Sequence, residues 1–158
     1  MTTSATRNVP ESLTEGTLFV AFELREKTWK LGFTTGHGQK PRERTVCARQ
    51  QERVLDEIAR AKDRLGLPVS AAAVRCYEAG REGFWLHRCL QGHGITNHVV
   101  DSSAIAVNRR RRRAKSEGLD VRKLLRMLIR YGYGERQVWQ VVKVPSVEAE
   151  DHRHLHRD

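Results

Sequence analysis

Glu23, Glu78, Glu117 and Asp120 are the residues of this 158-residue chain whose type and placement could do chemistry. Glu23 and Glu78 each close an apolar run, and in an α/β sheet active groups gather at the carboxyl ends of central strands. Glu117 and Asp120 lie three apart at the start of a helical pattern, so they project from neighbouring positions on one face. Four converging carboxylates suit a hard cation, Mg²⁺ or Mn²⁺. A pair of such ions about 3.5–4 Å apart stabilises both the attacking and the leaving oxygen of a phosphodiester. Each residue also has a plainer use: Glu117 and Asp120 can complement a helix N-terminus, and Glu23 can be a strand-end surface residue.

A second feature is charge. The chain carries 29 Lys plus Arg against 19 Asp plus Glu, a formal net charge of +10. Residues 1–108 hold 15 basic and 12 acidic residues, 109–126 hold 9 and 2, and 127–158 hold 5 and 5, giving +3, +7 and 0. The excess therefore sits in one stretch: Arg109, Arg110, Arg111, Arg112, Arg113 and Lys115, then Arg122, Lys123 and Arg126. Such a patch focuses potential and releases counterions from a phosphate backbone, which points to a polyanionic partner. A solvated basic loop is the plain alternative.

These residues need elements to position them. Residues 1–16, rich in Ser, Thr and Glu, read as a flexible leader. Thr17–Leu24 is a mostly apolar run, expected as a strand buried on both faces. Thr28–Phe33 alternates, with Trp29, Leu31 and Phe33 on one side, and Arg25–Lys27 supplies a tight turn. Arg42–Cys47 is a polar edge strand. Val54, Leu55, Ile58, Ala61 and Leu65 mark a helix over Gln50–Leu65, ended by Gly66 and Pro68. Ala72–Tyr77 is a strand, Glu82–Gln91 a helix and Ile95–Val100 another strand. Val121, Leu124, Leu125, Leu128 and Ile129 place a helix over Glu117–Arg130 with Ser116 as its N-cap. Gln137–Val144 is a late strand or extended segment, Pro145 breaks it, and a polar helix starts at Ser146. The order is β-β-β-α-β-α-β-α, without internal repeat.

Composition bounds the rest. Hydrophobic residues at 39% and aromatics at 6% permit one packed core, and no apolar run nears the roughly 18 residues a membrane span needs. The start carries no secretory signal pattern. Cys47, Cys76 and Cys89 lack C-x-x-C spacing, which argues against a disulfide framework or zinc knuckle and fits a soluble, cytoplasmic protein. His152, His154 and His156 read as a solvated tail, and Trp29, Trp85 and Trp139 as core.

Three segments carry a family resemblance: Cys76-Tyr77-Glu78-Ala79-Gly80-Arg81-Glu82-Gly83-Phe84, Ile95–Asp101, and Arg113-Ala114-Lys115-Ser116-Glu117-Gly118-Leu119-Asp120-Val121-Arg122-Lys123-Leu124. They resemble the insertion-sequence one-ten family of DEDD transposases, from about Leu18 to the C-terminus. The resemblance implies an RNase H-like (RuvC-like) α/β domain over residues 17–145. Its expected form is three antiparallel strands, then alternating helices and parallel strands. Mg²⁺ would be held by Glu23, Glu78, Glu117 and Asp120 as the catalytic set. Glu23 and Glu117 stand where the family commonly has Asp, each one methylene longer, so charge is kept and geometry is altered. Residues 146–158 are expected to begin a helix leading to a C-terminal serine-bearing domain absent from this chain.

The function so implied is DNA transposition and recombination with DNA and a guide RNA as partners, no membrane, and homo-oligomerisation left open. The isolated chain is expected to bind nucleic acid through Arg109–Arg113, Lys115, Arg122 and Lys123 and to be incomplete as an enzyme. Two alternatives stand beside it: a catalytically silent nucleic-acid-binding module, and a stand-alone RuvC-like nuclease selective for branched structures.

Overall fold

The computed structural model describes residues 16–36, 38–80, 84–91, 96–101 and 120–144. Glu117, Arg109–Arg113, Lys115 and the two terminal segments lie outside the described residues.

Six strands form one mixed sheet: β1 (Leu18–Leu24), β2 (Thr28–Thr34), β3 (Arg42–Cys47), β4 (Ala73–Glu78), β5 (Thr96–Asp101) and β6 (Gln140–Val141). Their spatial order is β3-β2-β1-β4-β5-β6. The first three pair antiparallel, as hairpin connections allow, while β4 and β5 run parallel to β1. β1 lies inside the sheet with its residues 18–22 all buried, which explains its unbroken apolar run. The β1–β2 turn closes with Arg25 N–H donating to the Thr28 carbonyl at 3.1 Å. β3 buries only Val46, and its exposed charged residues suit a sheet edge.

Helices α1 (Gln51–Arg64) and α2 (Trp85–Gln91) cover one face of the sheet, and α3 (Val121–Gly132) covers the other. On the first face Val54, Ile58 and Ala61 of α1 and Leu86 and Leu90 of α2 pack against Leu18, Val20, Phe22, Trp29, Leu31 and Tyr77. Trp85 tilts against Trp29 with ring centroids 6.0 Å apart. On the second face the stripe Val121, Leu124, Leu125, Leu128 and Ile129 meets Phe19, Ala21, Val74, Cys76 and Val100. The layers follow from side-chain periods: alternate residues of β1 and β4 serve opposite cores.

A lateral row of small residues sets how closely α3 approaches. Gly32, Ala21 and Cys76 are register neighbours across β2, β1 and β4. A Cβ at Gly32 would stand 2.9 Å from Leu125 Cδ1 and 3.0 Å from Val121 Cγ2, so the helix rests on a backbone that no other residue type leaves bare.

Two expectations change. The last long helix begins at Val121, not at Glu117, and its N-cap is Asp120 rather than Ser116. Asp120 has extended backbone and its carboxylate accepts from Lys123 N–H at 2.8 Å. That is the geometry by which a short acidic side chain satisfies an orphan donor of a first turn. The late strand is also shorter than Gln137–Val144: Gln140 and Val141 pair antiparallel with Asp101 and Val100. No helix among the described residues is long and apolar enough to cross a membrane.

Candidate carboxylate site at the head of the sheet

The carboxyl ends of β1 and β4 lie side by side. Phe22 is the register partner of Tyr77, so the residues that follow, Glu23 and Glu78, close the two strands next to one another. Alternation puts both on the α3 face, since Phe19 and Ala21 precede Glu23, and Val74 and Cys76 precede Glu78, in the same core. The N-terminus of α3 sits over the same end. Its first helical N–H, from Val121, donates to Glu23 Oε1 at 3.2 Å. A bond across 98 residues of sequence thus joins the head of β1 to the residue beside Asp120.

Glu23 is well sheltered, its side chain 13% exposed. Its other oxygen, Oε2, accepts from Arg25 Nε at 3.0 Å and also contacts the Arg25 terminal nitrogen. The acidic group therefore sits at the positive end of α3, where negative charge is favoured. Asp120 is exposed and occupied in part by its cap bond. Glu78 is half-buried, and the chain leaves it with Ala79 N–H donating to the Val100 carbonyl at 2.8 Å. Three of the four expected residues, Glu23, Glu78 and Asp120, are thus positioned by elements that meet at one end of the sheet. Glu117 lies outside the described residues. Among those residues, no three His, Cys, Asp or Glu side chains form a group that could hold a metal ion.

Of the expected basic residues, Arg122 and Lys123 are described. Arg122 Nε donates to Glu43 Oε2 at 2.7 Å, tying the first turn of α3 to the edge strand β3. Lys30 stands 3.9 Å from the other oxygen of Glu43. Lys123 supplies the N–H held by Asp120. Arg109–Arg113 and Lys115 lie outside the described residues.

Sequence reasoning passed over two residues of this region. Arg25 reads as a turn residue, yet it closes on Glu23; a basic residue two positions beyond a strand-end acid was the available signal. Asp101 closes β5 beside Glu78, whose register partner is Val100. Alternation puts it with Val99, on the α1 side, so it ends at the same edge of the sheet but faces away from α3.

The fold and this edge define a mixed α/β domain that presents carboxylates at adjoining strand ends beneath a helix N-terminus. No family model matches the chain. Over 148 residues, 90% of its length, the chain is 37% identical to a protein of Sinorhizobium fredii (strain NBRC 101917 / NGR234) named "Putative transposase y4rJ", of which it spans 37%. Among solved structures it superposes on YeaZ from Pseudomonas aeruginosa with a TM-score of 0.38 at 14% identity, over 63% of this chain and 50% of that one. A superposition that loose leaves the fold class to the strand order and pairing above.

Proposed function

We propose that this chain is a nucleic-acid-binding and metal-binding domain of a transposase, of the RuvC-like DEDD type, acting on DNA in transposition. One observation carries the reading: the Val121 N–H to Glu23 bond, which brings the Asp120 end of α3 onto the strand end that neighbours Glu78. Similarity to a relative named as a transposase supports the same class, and the strand arrangement, three antiparallel then two parallel to the first, is what the family resemblance implies. By the same resemblance the partners are DNA and a guide RNA, and the family is the insertion-sequence one-ten group.

The donor set suits Mg²⁺ or Mn²⁺ in chemistry, being carboxylate oxygens. Glu23, Glu78 and Asp120, with Glu117, would hold the ion. Arg25, 62% exposed, is the group a cation would displace from Glu23. Bound there, a cation supplies charge neutralisation for a phosphodiester under attack. This chain's own residues do the rest: α3 holds Glu23 in place through Val121 N–H, and the basic stretch 109–126 would draw the phosphate backbone to the domain.

A second reading has its own observation. Glu23 already satisfies the α3 N-terminus and Arg25, and Asp120 already caps α3, so both have structural work without any cation. On that reading the domain binds nucleic acid and is silent in catalysis. Thermal unfolding with and without Mg²⁺ or Mn²⁺ separates the two. The metal reading expects a rise in Tm, since an ion bound only by the native state stabilises it by mass action. It expects the rise to vanish in Glu78→Gln and in Asp120→Asn, the latter keeping a capping oxygen while losing charge. An unchanged wild-type Tm at saturating metal refutes the cation site and leaves the silent module.

A further inference from the structure

On the opposite face of the sheet, at the amino end of β4, a cavity of about 370 Å³ opens between α1 and the segment that leads into β4. Leu55, Ile58 and Ala59 of α1 and Ala71–Ala73 give it apolar walls. Two cations line it as well, Lys62 and Arg75, together with Ser70. No Asp or Glu lines it among the described residues.

Arg75 is the unusual member. It stands mid-strand in β4, only 1% exposed, yet Nε and Nη1 of its guanidinium have no hydrogen-bond partner among the described residues. Leaving the donors of a buried charged group unmade is expensive, and such groups are retained where something pairs with them. Burial pushes Arg75 down from its ordinary value to about 9, opposed by the nearby Cys89 thiol. Lys62 is likewise lowered, by burial first and then by the charge of Arg75, while its Nζ donates to the Val69 carbonyl at 3.0 Å. A buried guanidinium with unmet donors and a second cation lining the same cavity, with no acid on its walls among the described residues, are completed by an anion.

We propose that this cavity binds a small molecule bearing one oxyanion, a carboxylate or a phosphate, on an apolar body. The oxyanion sits on Arg75 and Lys62, and the body lies against Leu55, Ile58 and Ala59. The guanidinium offers its unmet donors to such a group, and Lys62 adds a point charge in the same lining. The volume falls within the range of ordinary small-ligand sites. The site is separate from the carboxylates, which close the other end of β4 on the α3 face.

Titration of the full chain with hexanoate, with inorganic phosphate and with uncharged hexan-1-ol, followed by backbone amide shifts and calorimetry, tests this. Hexanoate should shift amides of Ala59, Lys62, Ser70 and Ala72 and bind about tenfold or more tightly than hexan-1-ol, the worth of a charge-assisted hydrogen bond. Binding of hexanoate alone assigns the head group as carboxylate, and binding of phosphate alone as phosphate. Arg75→Met, similar in volume, should abolish the anion response. Lys62→Met, at an accessible position, should weaken it several-fold and serves if Arg75→Met does not fold. Hexan-1-ol binding as tightly as hexanoate, an unchanged affinity in Lys62→Met and Arg75→Met, or no shift at these amides with either anion overturns the proposal.

Discussion

Asp120 shows at the scale of one residue how a structural role and a chemical role can occupy the same carboxylate. Its oxygen closes the first turn of α3 on Lys123 N–H, and the same residue belongs to the proposed cation set. The two roles separate by substitution. Asp120→Ala should lower unfolding free energy by about 1 kcal/mol through loss of the cap, whereas Asp120→Asn should cost only a few tenths. Urea unfolding of both variants, without metal, checks this; equal losses would mean that charge at the helix end, not the capping bond, carries the effect. A second residue-scale expectation concerns His98, on β5. Its ring meets Tyr131 edge-on at 5.4 Å, and its pKa is lowered from the ordinary 6.5 by burial first, then by Arg136 and by His87. His87 is itself lowered by burial and Arg88, and accepts at Nδ1 from the Asn97 amide at 2.9 Å. Because the unfolded chain takes up these protons more readily than the native one, the native state is favoured above about pH 6.5 and loses stability as pH falls below it. Unfolding measured from neutral pH down to about pH 5 should show that decline, and His98→Phe, which keeps a ring against Tyr131, should flatten it. A slope unchanged by His98→Phe would assign the decline to other groups.

Among the elements, α3 was half legible. Its apolar stripe read correctly from Val121 to Ile129, because five residues at helical spacing leave little choice of face. Its start did not, since Ser116 and Asp120 are both good caps; the first stripe residue follows Asp120 directly, and that adjacency decides. β1 was legible because a strand buried on both faces has no alternation to misread. Arg75 was not: nothing in the residues of Ala73–Glu78 marks a mid-strand arginine as buried until helices are seen to cover both faces. The convergence of Glu23 with the α3 N-terminus was out of reach of spacing alone, because nothing local links positions 98 apart; the gathering of active groups at strand ends and the family resemblance suggested it. The seat of α3 on Gly32 yields a sharp expectation. Gly32→Ala forces a methyl against Leu125, whose side chain can turn, and against Val121, whose β-branched side chain cannot. The helix must lift, costing about 1–3 kcal/mol. The Val121 N–H to Glu23 bond should loosen with it, so the amide of Val121 should exchange faster. Added to Leu125→Ala, Gly32→Ala should still cost part of its loss relative to Leu125→Ala alone, because Val121 still obstructs; no further cost would place the obstruction at Leu125 alone.

For the whole molecule, the decisive property is where the charge lies. A surplus of +7 falls within residues 109–126, a stretch that in sequence runs into α3, and the start of that helix sits at the end of the sheet where Glu23 and Glu78 close their strands. On the proposed function, so concentrated a basic stretch would draw a polyanion to the domain. Arg122 contributes less to that field than its number suggests, because Glu43 already faces it at 2.7 Å. The five adjacent arginines, Arg109–Arg113, supply most of the remainder, and on the proposed function such a run would give charge to phosphates rather than read base edges. Affinity for duplex DNA should therefore fall steeply with salt and vary little with sequence. Changing Arg110, Arg111 and Arg112 to Ala should weaken binding to unrelated duplexes alike. It should also reduce the magnitude of the slope of log affinity against log salt by up to about 3, roughly 0.9 for each phosphate no longer neutralised. Arg122→Ala should change that slope far less while lowering stability slightly, because its partner is Glu43 and not a phosphate. Fluorescence anisotropy across a range of salt concentrations reads both variants together. A wild-type slope in the triple variant, or a larger change in Arg122→Ala, would place the nucleic-acid interface elsewhere on the domain.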